Sequence, residues 1–215
     1  MLKLQKFTFN PFAENTYIIW CDEKKEAAVV DPGCFDKNEE SELIDFIKKN
    51  NLLVKYLLNT HCHIDHVLGN SFIKETFDPE YYAPEKDIIL LEYFQKQCET
   101  VGIKADKPPI PENFITEDLD LKIGNVPVKF LFTPGHTPGE YCFYFESEKK
   151  CITGDVLFHG SIGRTDLWGG NYDTLMNSIK TKLLPLNDDV VIYPGHGEES
   201  NIGIERNGNP FLESF

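Results

Sequence analysis

The chain has 215 residues, of which 41% are hydrophobic and 13% aromatic, and this size and composition fit one folded domain, expected over residues 1–215. Its formal net charge of −14 at pH 7 repels phosphate backbones and anionic lipid headgroups, so neither nucleic acid nor a membrane is an expected partner. The chain starts without an export signal and contains no apolar stretch long enough to span a bilayer, which predicts a cytoplasmic protein.

The first quarter of the chain predicts an antiparallel meander, a helix and a buried strand. Three β-branched or aromatic segments, 2–9, 16–20 and 27–30, are separated by turn-rich stretches. Residues 38–50 predict a helix, because acids fill the first turn, lysines the last, and apolar residues share one face. The apolar run 54–58 predicts a buried strand that leads into a histidine-rich turn.

The rest of the chain alternates strands and helices. A helix is predicted over 67–77, and the following stretch, Pro79–Thr116, is expected to overhang the site with a helix at 88–98. Strand patterns follow at 119–123, 126–132, 140–145 and 150–153, then a helical pattern at 172–184 and a strand at 190–193. Strand-rich halves with flanking helices predict stacked layers.

Seven residues that can bind metal lie in four turns that follow apparent strands. Four of them stand within six positions: His61, His63, Asp65 and His66. Two Pro-Gly-His turns and one Thr-Gly-Asp turn add His136, His196 and Asp155. Glycine in these turns lets the backbone bend sharply beside a ligand. The set uses five of the six histidines, which favours a metal site over a surface turn with chance histidines.

In their order along the chain, the patterns H-x-H-x-D-H, P-G-H-T, T-G-D and P-G-H-G resemble the metallo-β-lactamase superfamily over nearly the whole chain. The resemblance implies an α/β fold, the αβ/βα four-layer sandwich of two mixed β-sheets flanked by helices. It also implies two divalent metal ions per chain with a bridging hydroxide. One ion would take His61, His63 and His136, the other would take Asp65, His66 and His196, and Asp155 would bridge both.

The segment from Gly160 to Asp166 and the E-R…N-P-F-L pattern at 205–212 resemble the short glyoxalase II-like hydrolases. That resemblance implies hydrolysis of a small-molecule thioester such as S-lactoylglutathione. The chemistry agrees, because a thiol of pKa about 8.5 leaves as thiolate without a general acid. Full-length glyoxalase II enzymes add a C-terminal helical glutathione-binding domain, which is not expected within residues 1–215, so glutathione recognition stays open.

Further roles are predicted for four side chains. Asp65 and Asp155 are predicted to act in catalysis as well as in metal binding. Arg164 is predicted to bind a substrate carboxylate, or alternatively to pair with Asp166. Asp31 is predicted to accept a hydrogen bond from a ligand imidazole, or alternatively to be an ordinary turn residue.

The metal, the oligomeric state and two rival functions stay open at this stage. The mixed nitrogen and oxygen donors fit zinc, and the two carboxylates also suit iron or manganese. One rival is the mononuclear-iron persulfide dioxygenase, a related branch that tends to carry Ala before and Asp after the last motif histidine. Here Gly195 and Gly197 occupy those positions. The other rival is a non-catalytic metal-binding module.

Overall fold

Two six-stranded β-sheets form the centre of the computed structural model, which describes residues 1–213. The first sheet holds its strands in chain order, β1 (Leu2–Phe9), β2 (Glu14–Cys21), β3 (Glu26–Val30), β4 (Leu53–Leu58), β5 (Glu80–Ala83) and β6 (Asn113–Phe114). From β1 to β3 the neighbours are antiparallel, and from β3 to β6 they are parallel. The predicted antiparallel meander at the start of the chain is therefore confirmed.

The second half of the chain supplies the second sheet and a separate hairpin. In chain order its strands are β7 (Leu121–Ile123), β8 (Val126–Phe132), β9 (Tyr141–Phe145), β10 (Lys150–Gly154), the hairpin β11 (Leu157–Phe158) and β12 (Ser161–Ile162), then β13 (Val191–Pro194) and β14 (Ser200–Asn201). Across the sheet the order is β14-β13-β10-β9-β8-β7, with β10 and β13 parallel and the other neighbours antiparallel. Both sheets are mixed, as predicted.

Helices cover the outer faces of both sheets. They are α1 (Lys37–Lys49), α2 (Ile64–Val67), α3 (Asn70–Phe77), α4 (Ile88–Glu92), α5 (Phe94–Val101), α6 (Tyr172–Ser178), which runs on into a π-helical turn Ile179–Leu183, and α7 (Ile202–Gly208). Within residues 1–213, every helix is too short or too polar to cross a bilayer.

Three buried clusters of apolar residues separate these layers. Leu43 and Ile47 of α1 pack with residues of the first sheet such as Ile18. A second cluster lies between the two sheets, and a third joins the second sheet to α6 and α7, where Leu175 and Ile202 are fully buried. The order helix, sheet, sheet, helix confirms the predicted four-layer sandwich.

Two helices that the sequence predicts as continuous are interrupted. The range 67–77, predicted as one helix, holds only the last residue of α2, which already begins at Ile64, and then α3, with Leu68 and Gly69 between them. A Cβ atom at Gly69 would lie 2.3 Å from Cys34 Sγ, and the Gly69 N–H donates to Pro32 O at 2.7 Å, so packing against the preceding loop replaces a helical turn. The helix predicted over 88–98 breaks at Tyr93, between α4 and α5, and extends to residue 101.

Candidate metal centre

Four loops that follow strand ends meet at one edge of the sandwich. The loop after β4 carries the first four predicted ligands, and the loop after β8 carries His136. The ends of β10 and β13 carry Asp155 and His196. Loops that are held at the ends of rigid strands keep their side chains in defined positions, so this edge of the sandwich is suited to a functional site.

The structure brings all seven predicted ligands together in two groups of three and one shared carboxylate. In each group the donor atoms lie within 4.8 Å of one another, and the groups are His61, His63, His136 and Asp65, His66, His196. Asp155 lies between them, with Oδ2 3.5 Å from His136 Nε2 and 3.6 Å from His196 Nε2, and with Oδ1 3.5 Å from His66 Nε2. This is the arrangement that two cations sharing one carboxylate require.

Several donor atoms at the centre have the environment expected of metal ligands. Within residues 1–213, the buried atoms His61 Nε2, His66 Nε2 and Asp155 Oδ1 form no hydrogen bond to the protein. Buried polar atoms without partners are costly and uncommon. His63 Nδ1 lies 2.8 Å from His136 Nε2, so these two nitrogens must share either a proton or a cation. The residues therefore fit a pair of divalent cations.

Asp31 lies directly behind the ligand His66. Its Oδ2 is 3.2 Å from His66 Nδ1, and its two oxygens also accept hydrogen bonds from the backbone N–H and the hydroxyl of Thr60, at 2.7 and 2.6 Å. Asp31 has a φ of 47°, a conformation that non-glycine residues seldom adopt. The carboxylate therefore lies near the ligand imidazole, although His66 Nδ1 makes no hydrogen bond within residues 1–213, and its role as acceptor stays a prediction.

Glu140 is a site residue that sequence reasoning missed. It is fully buried, accepts the backbone N–H of Asp155 at 2.7 Å, and places Oε1 3.5 Å from His61 Nδ1. Burial, reinforced by Asp155, raises the pKa of Glu140 well above its usual range. The available signal was an acid at the start of a buried strand, between Gly139 and the strand β9.

A second buried acid, Asp87, joins two of the ligand loops. It accepts hydrogen bonds from the Thr137 hydroxyl and the Gly139 N–H, both at 2.7 Å, and from the Cys62 N–H at 3.3 Å. Burial raises the pKa of Asp87 to about 6, although these hydrogen bonds oppose the rise. The carboxyl group therefore ties the loop of His61 and His63 to the loop of His136.

His196 is held in place by strand β2 of the other sheet. The Tyr17 hydroxyl donates to Pro194 O at 2.6 Å, and Asn15 Nδ2 donates to Pro194 O at 3.0 Å and to Gly197 O at 2.8 Å. The Asn15 N–H also donates to Gly195 O at 2.7 Å. Both sheets thus contribute to the position of this ligand.

The two halves of the centre differ in their affinity for protons. Burial, together with His136, lowers the pKa of His63 to about 3. Burial also acts to lower the pKa of His66, but Asp65 and Asp155 outweigh it, so that the pKa of His66 is raised well above its usual range. Protons will therefore compete with a cation most strongly in the half formed by Asp65, His66 and His196.

A cavity of about 610 Å³ opens onto the metal centre, and five of the seven ligands line it, namely His63, Asp65, His136, Asp155 and His196. The stretch expected to overhang the site contributes Tyr93 and, from helix α5, the polar residues Lys96, Gln97 and Thr100 together with Val101. Phe94 of the same helix is buried in the core.

Arg164 also lines this cavity, and its guanidinium group is occupied. Its Nε and Nη2 atoms donate to the two carboxylate oxygens of Asp166 at 2.7 and 2.8 Å, which is the alternative role foreseen from the sequence. Both side chains are more than half exposed. Exposed ion pairs are weak, so this pair contributes little to stability, and binding of a substrate carboxylate by Arg164 stays a prediction.

The sequence pattern of the metallo-beta-lactamase superfamily matches residues 9–196, and the chain belongs to that superfamily. It is 42% identical to hydroxyacylglutathione hydrolase GloC of Haemophilus influenzae, with 94% of each chain covered. Among solved structures, the BLEG-1 B3 metallo-beta-lactamase matches with a TM-score of 0.90 and 32% identity, covering 98% of this chain and 100% of the other. The structure of TTHA1623 in a di-iron-bound form matches with a TM-score of 0.86 and 33% identity, covering 97% and 100%.

These similarities define the class of protein. The chain is a metallo-hydrolase of a superfamily that binds divalent metal ions, and it shares its fold with the BLEG-1 and TTHA1623 structures over the whole length of those two chains. The predicted family resemblance and fold are confirmed. The identity of the metal, the individual ligand roles and the substrate stay predictions.

Proposed function

We propose that this chain is a thioester hydrolase that acts on a small acyl group carried by a thiol, with S-lactoylglutathione as the model substrate. The observation that carries the proposal is the pair of donor triads, joined by Asp155, at the floor of an open cavity of about 610 Å³. The 42% identity to a protein named hydroxyacylglutathione hydrolase supports the choice of a thioester.

In this proposal the seven donors hold two divalent cations, zinc in the first instance, with iron or manganese as alternatives that elemental analysis will distinguish. When bound, such a pair supplies Lewis acidity to the substrate carbonyl and lowers the pKa of water at the site toward about 7. Asp155 would be shared by both halves of the centre, because Oδ2 lies between His136 and His196 and Oδ1 lies near His66.

Asp65 is proposed to accept a hydrogen bond from the attacking water and so to orient it. Its Oδ2 lies 3.1 Å from His196 Nε2, its side chain is only 13% exposed, and it lines the cavity. Burial acts to raise the pKa of Asp65, but His66 and His196 outweigh it and the pKa lies below its usual range. The carboxylate therefore stays ionised and accepts hydrogen bonds at neutral pH. The thiolate product, with a pKa of about 8.5, leaves without a dedicated acid.

Arg164 is proposed to bind a carboxylate of the thiol carrier. It stands at the cavity wall in a planar pair with Asp166, and that geometry suits exchange of one carboxylate for another. An anionic carrier such as glutathione fits this role without a further domain. Replacing Arg164 by Gln is expected to raise KM for an anionic thioester more than for a neutral one.

The position before His196 argues against the persulfide dioxygenase. A Cβ atom at Gly195 would lie 2.2 Å from Asp155 Oδ1 and 2.7 Å from His66 Cε1. The alanine that is typical of that branch therefore does not fit beside Asp155 in its position between the two triads. The open cavity likewise argues against a closed, purely structural metal site.

The test is release of thiol by metal-loaded protein from a panel of glutathione and coenzyme A thioesters that includes S-lactoylglutathione. A β-lactam is assayed in parallel, because one relative is named a metallo-beta-lactamase. Oxygen uptake with glutathione persulfide, together with metal stoichiometry, tests the dioxygenase. No thiol release from any thioester refutes the proposal, and one iron per chain with oxygen uptake establishes the rival.

A further inference from the structure

The hairpin β11–β12 forms the cavity wall beside His196. Phe158 and Ile162 of this hairpin line the cavity, and the Phe158 ring lies 6.3 Å from the His196 ring at an interplanar angle of 80°. Just after the hairpin, the backbone oxygen of Arg164 accepts a hydrogen bond from His136 Nδ1 at 2.7 Å. The position of the hairpin thus affects both the substrate wall and a metal ligand.

The hairpin is too short to hold this position by itself. Each strand contributes two residues, and the register pairs Leu157 with Ile162 and Phe158 with Ser161. Isolated two-stranded hairpins are marginal even when they are longer. The strands themselves are held by burial of Leu157 and Ile162 and by a hydrogen bond from the Thr153 hydroxyl to Leu157 O, so the turn between the strands is the part that needs a further contact.

That contact comes from the last helix, α7, and the residue that follows it. Glu205 is fully buried, and its Oε2 accepts the backbone N–H of Gly160, in the hairpin turn, at 2.8 Å. Asn209 Nδ2 donates both to Ser161 O at 3.0 Å and to Glu205 Oε2 at 2.8 Å. The Ser200 hydroxyl donates to the other oxygen of Glu205. Helix and hairpin turn are therefore joined by one connected set of hydrogen bonds.

These hydrogen bonds are costly to break because the groups that form them are buried. Glu205 and Asn209 are 0% and 2% exposed, so a hairpin that moved away would leave buried polar groups without partners. Such loss costs more than the net value of an exposed hydrogen bond. These contacts indicate a structural role for the E-R…N-P-F-L segment, which the proposed reaction does not otherwise use: it fixes the hairpin turn.

We propose that Glu205 and Asn209 are positioning residues for the substrate cavity, which hold the β11–β12 hairpin so that Phe158 stays beside His196. The kinetic consequence rests on the proposed thioester hydrolysis, whereas the structural consequence does not. Neither residue touches substrate. Their loss is expected to loosen the wall and to raise KM more than it lowers kcat.

The test compares Glu205→Ala and Asn209→Ala with the control Asn207→Ala, which removes an exposed asparagine of the same helix. Hydrogen exchange of residues 157–163 is measured in metal-loaded protein. We expect exchange about tenfold faster in both variants and unchanged in the control, with the same metal content in all three. Asn209→Ala carries the test by itself if Glu205→Ala does not fold.

The kinetic arm uses the background Phe158→Ala. In the otherwise natural chain, each variant is expected to raise KM for S-lactoylglutathione about fivefold to tenfold. In the Phe158→Ala background the same changes are expected to have little further effect, because the wall through which they act is already removed. Unchanged exchange in both variants, or an equal rise in KM in both backgrounds, overturns the proposal. If the natural chain cleaves no thioester, the proposed function fails while the exchange measurement still decides the role of these residues.

Discussion

Alanine at position 195 is expected to damage the metal centre without unfolding the chain. The added Cβ would stand 2.2 Å from Asp155 Oδ1 and 2.7 Å from His66 Cε1, against the 3.4–4 Å of ordinary contact, so Asp155 must retreat by about 1 Å. Misplacement of a reacting group by about 1 Å can cost about 10²-fold in rate. We therefore expect Gly195→Ala to lose about 10²-fold in kcat/KM and to bind its metal more weakly.

Gly197, two residues further along the chain, supplies a matched control, because there a side chain would strain the backbone but meet no neighbouring atom. Its φ is 77°, and among the described residues no atom comes within 4 Å of a Cβ built there. Gly197→Ala should thus strain the backbone, at a cost of about 1–2 kcal/mol in stability, while the ligand atoms keep their places. The two variants separate steric pressure on Asp155 from general destabilisation of the loop.

Three measurements on both variants decide the matter. Elemental analysis after dialysis against metal-free buffer gives metal retention, thiol release gives the rate, and urea unfolding gives stability. Gly195→Ala should lose metal and release thiol more slowly, with little change in its stability to urea. Gly197→Ala should keep its metal and its rate but be less stable to urea. If Gly195→Ala retains all its metal and reacts at a rate within threefold of the natural chain, then the position of Asp155 does not control metal binding or catalysis, and the reasoning is refuted.

Three further predictions follow from the geometry. Asp155→Ala is expected to lower the rate at least about 10²-fold and to leave fewer than two metals per chain, because both triads lose their shared carboxylate; the metal content is read by elemental analysis. Acidification should release metal, because protons compete with the cation for His66, whose pKa is raised. In the metal-free protein, the raised pKa of His66 should stabilise the fold fully below about pH 6.5, and this stabilisation should be lost as the pH rises through the folded-state pKa. Metal retention and urea unfolding, each measured across pH 5–8, test the two expectations. The natural chain should lose about 3 kcal/mol of unfolding free energy as the pH rises from about 4 to 6, because the pKa of Asp87 is about 6 in the folded state. Asp87→Asn should abolish this pH dependence, which is tested by unfolding both proteins at pH 4 and pH 7.

The cluster of candidate ligands could be predicted from the sequence because the information about it is local. Four lie within six residues, and the others sit in short turns with glycine beside them, so residue type and spacing suffice. The layer order was equally accessible, since hydrophobic periodicity identified the long strands and helix α1. Short elements escaped prediction: β5, β6 and the hairpin β11–β12 contain two to four residues each, too few for a period to show.

The buried acids escaped prediction for a different reason. Asp87 begins a helix and Glu140 begins a strand, places where a solvent-exposed acid is ordinary. Their partners, Thr137 and the Asp155 N–H, are 50 and 15 residues away along the chain. Residue type cannot reveal burial that depends on loops brought together by the whole fold.

The glycines of the two Pro-Gly-His turns show how one pattern can meet different physical demands. Freedom of the backbone to bend was the predicted reason for glycine beside a ligand. That reason holds for Gly135, whose φ is 135°, although a Cβ there would also lie 2.2 Å from Leu175 N. At Gly195 the backbone also bends, but its φ lies outside the positive region, so the bend does not itself require glycine, and the missing side chain leaves room for Asp155. The same motif therefore provides a positive φ in one loop and space for a shared carboxylate in the other, so substitutions at the two glycines should fail in different ways.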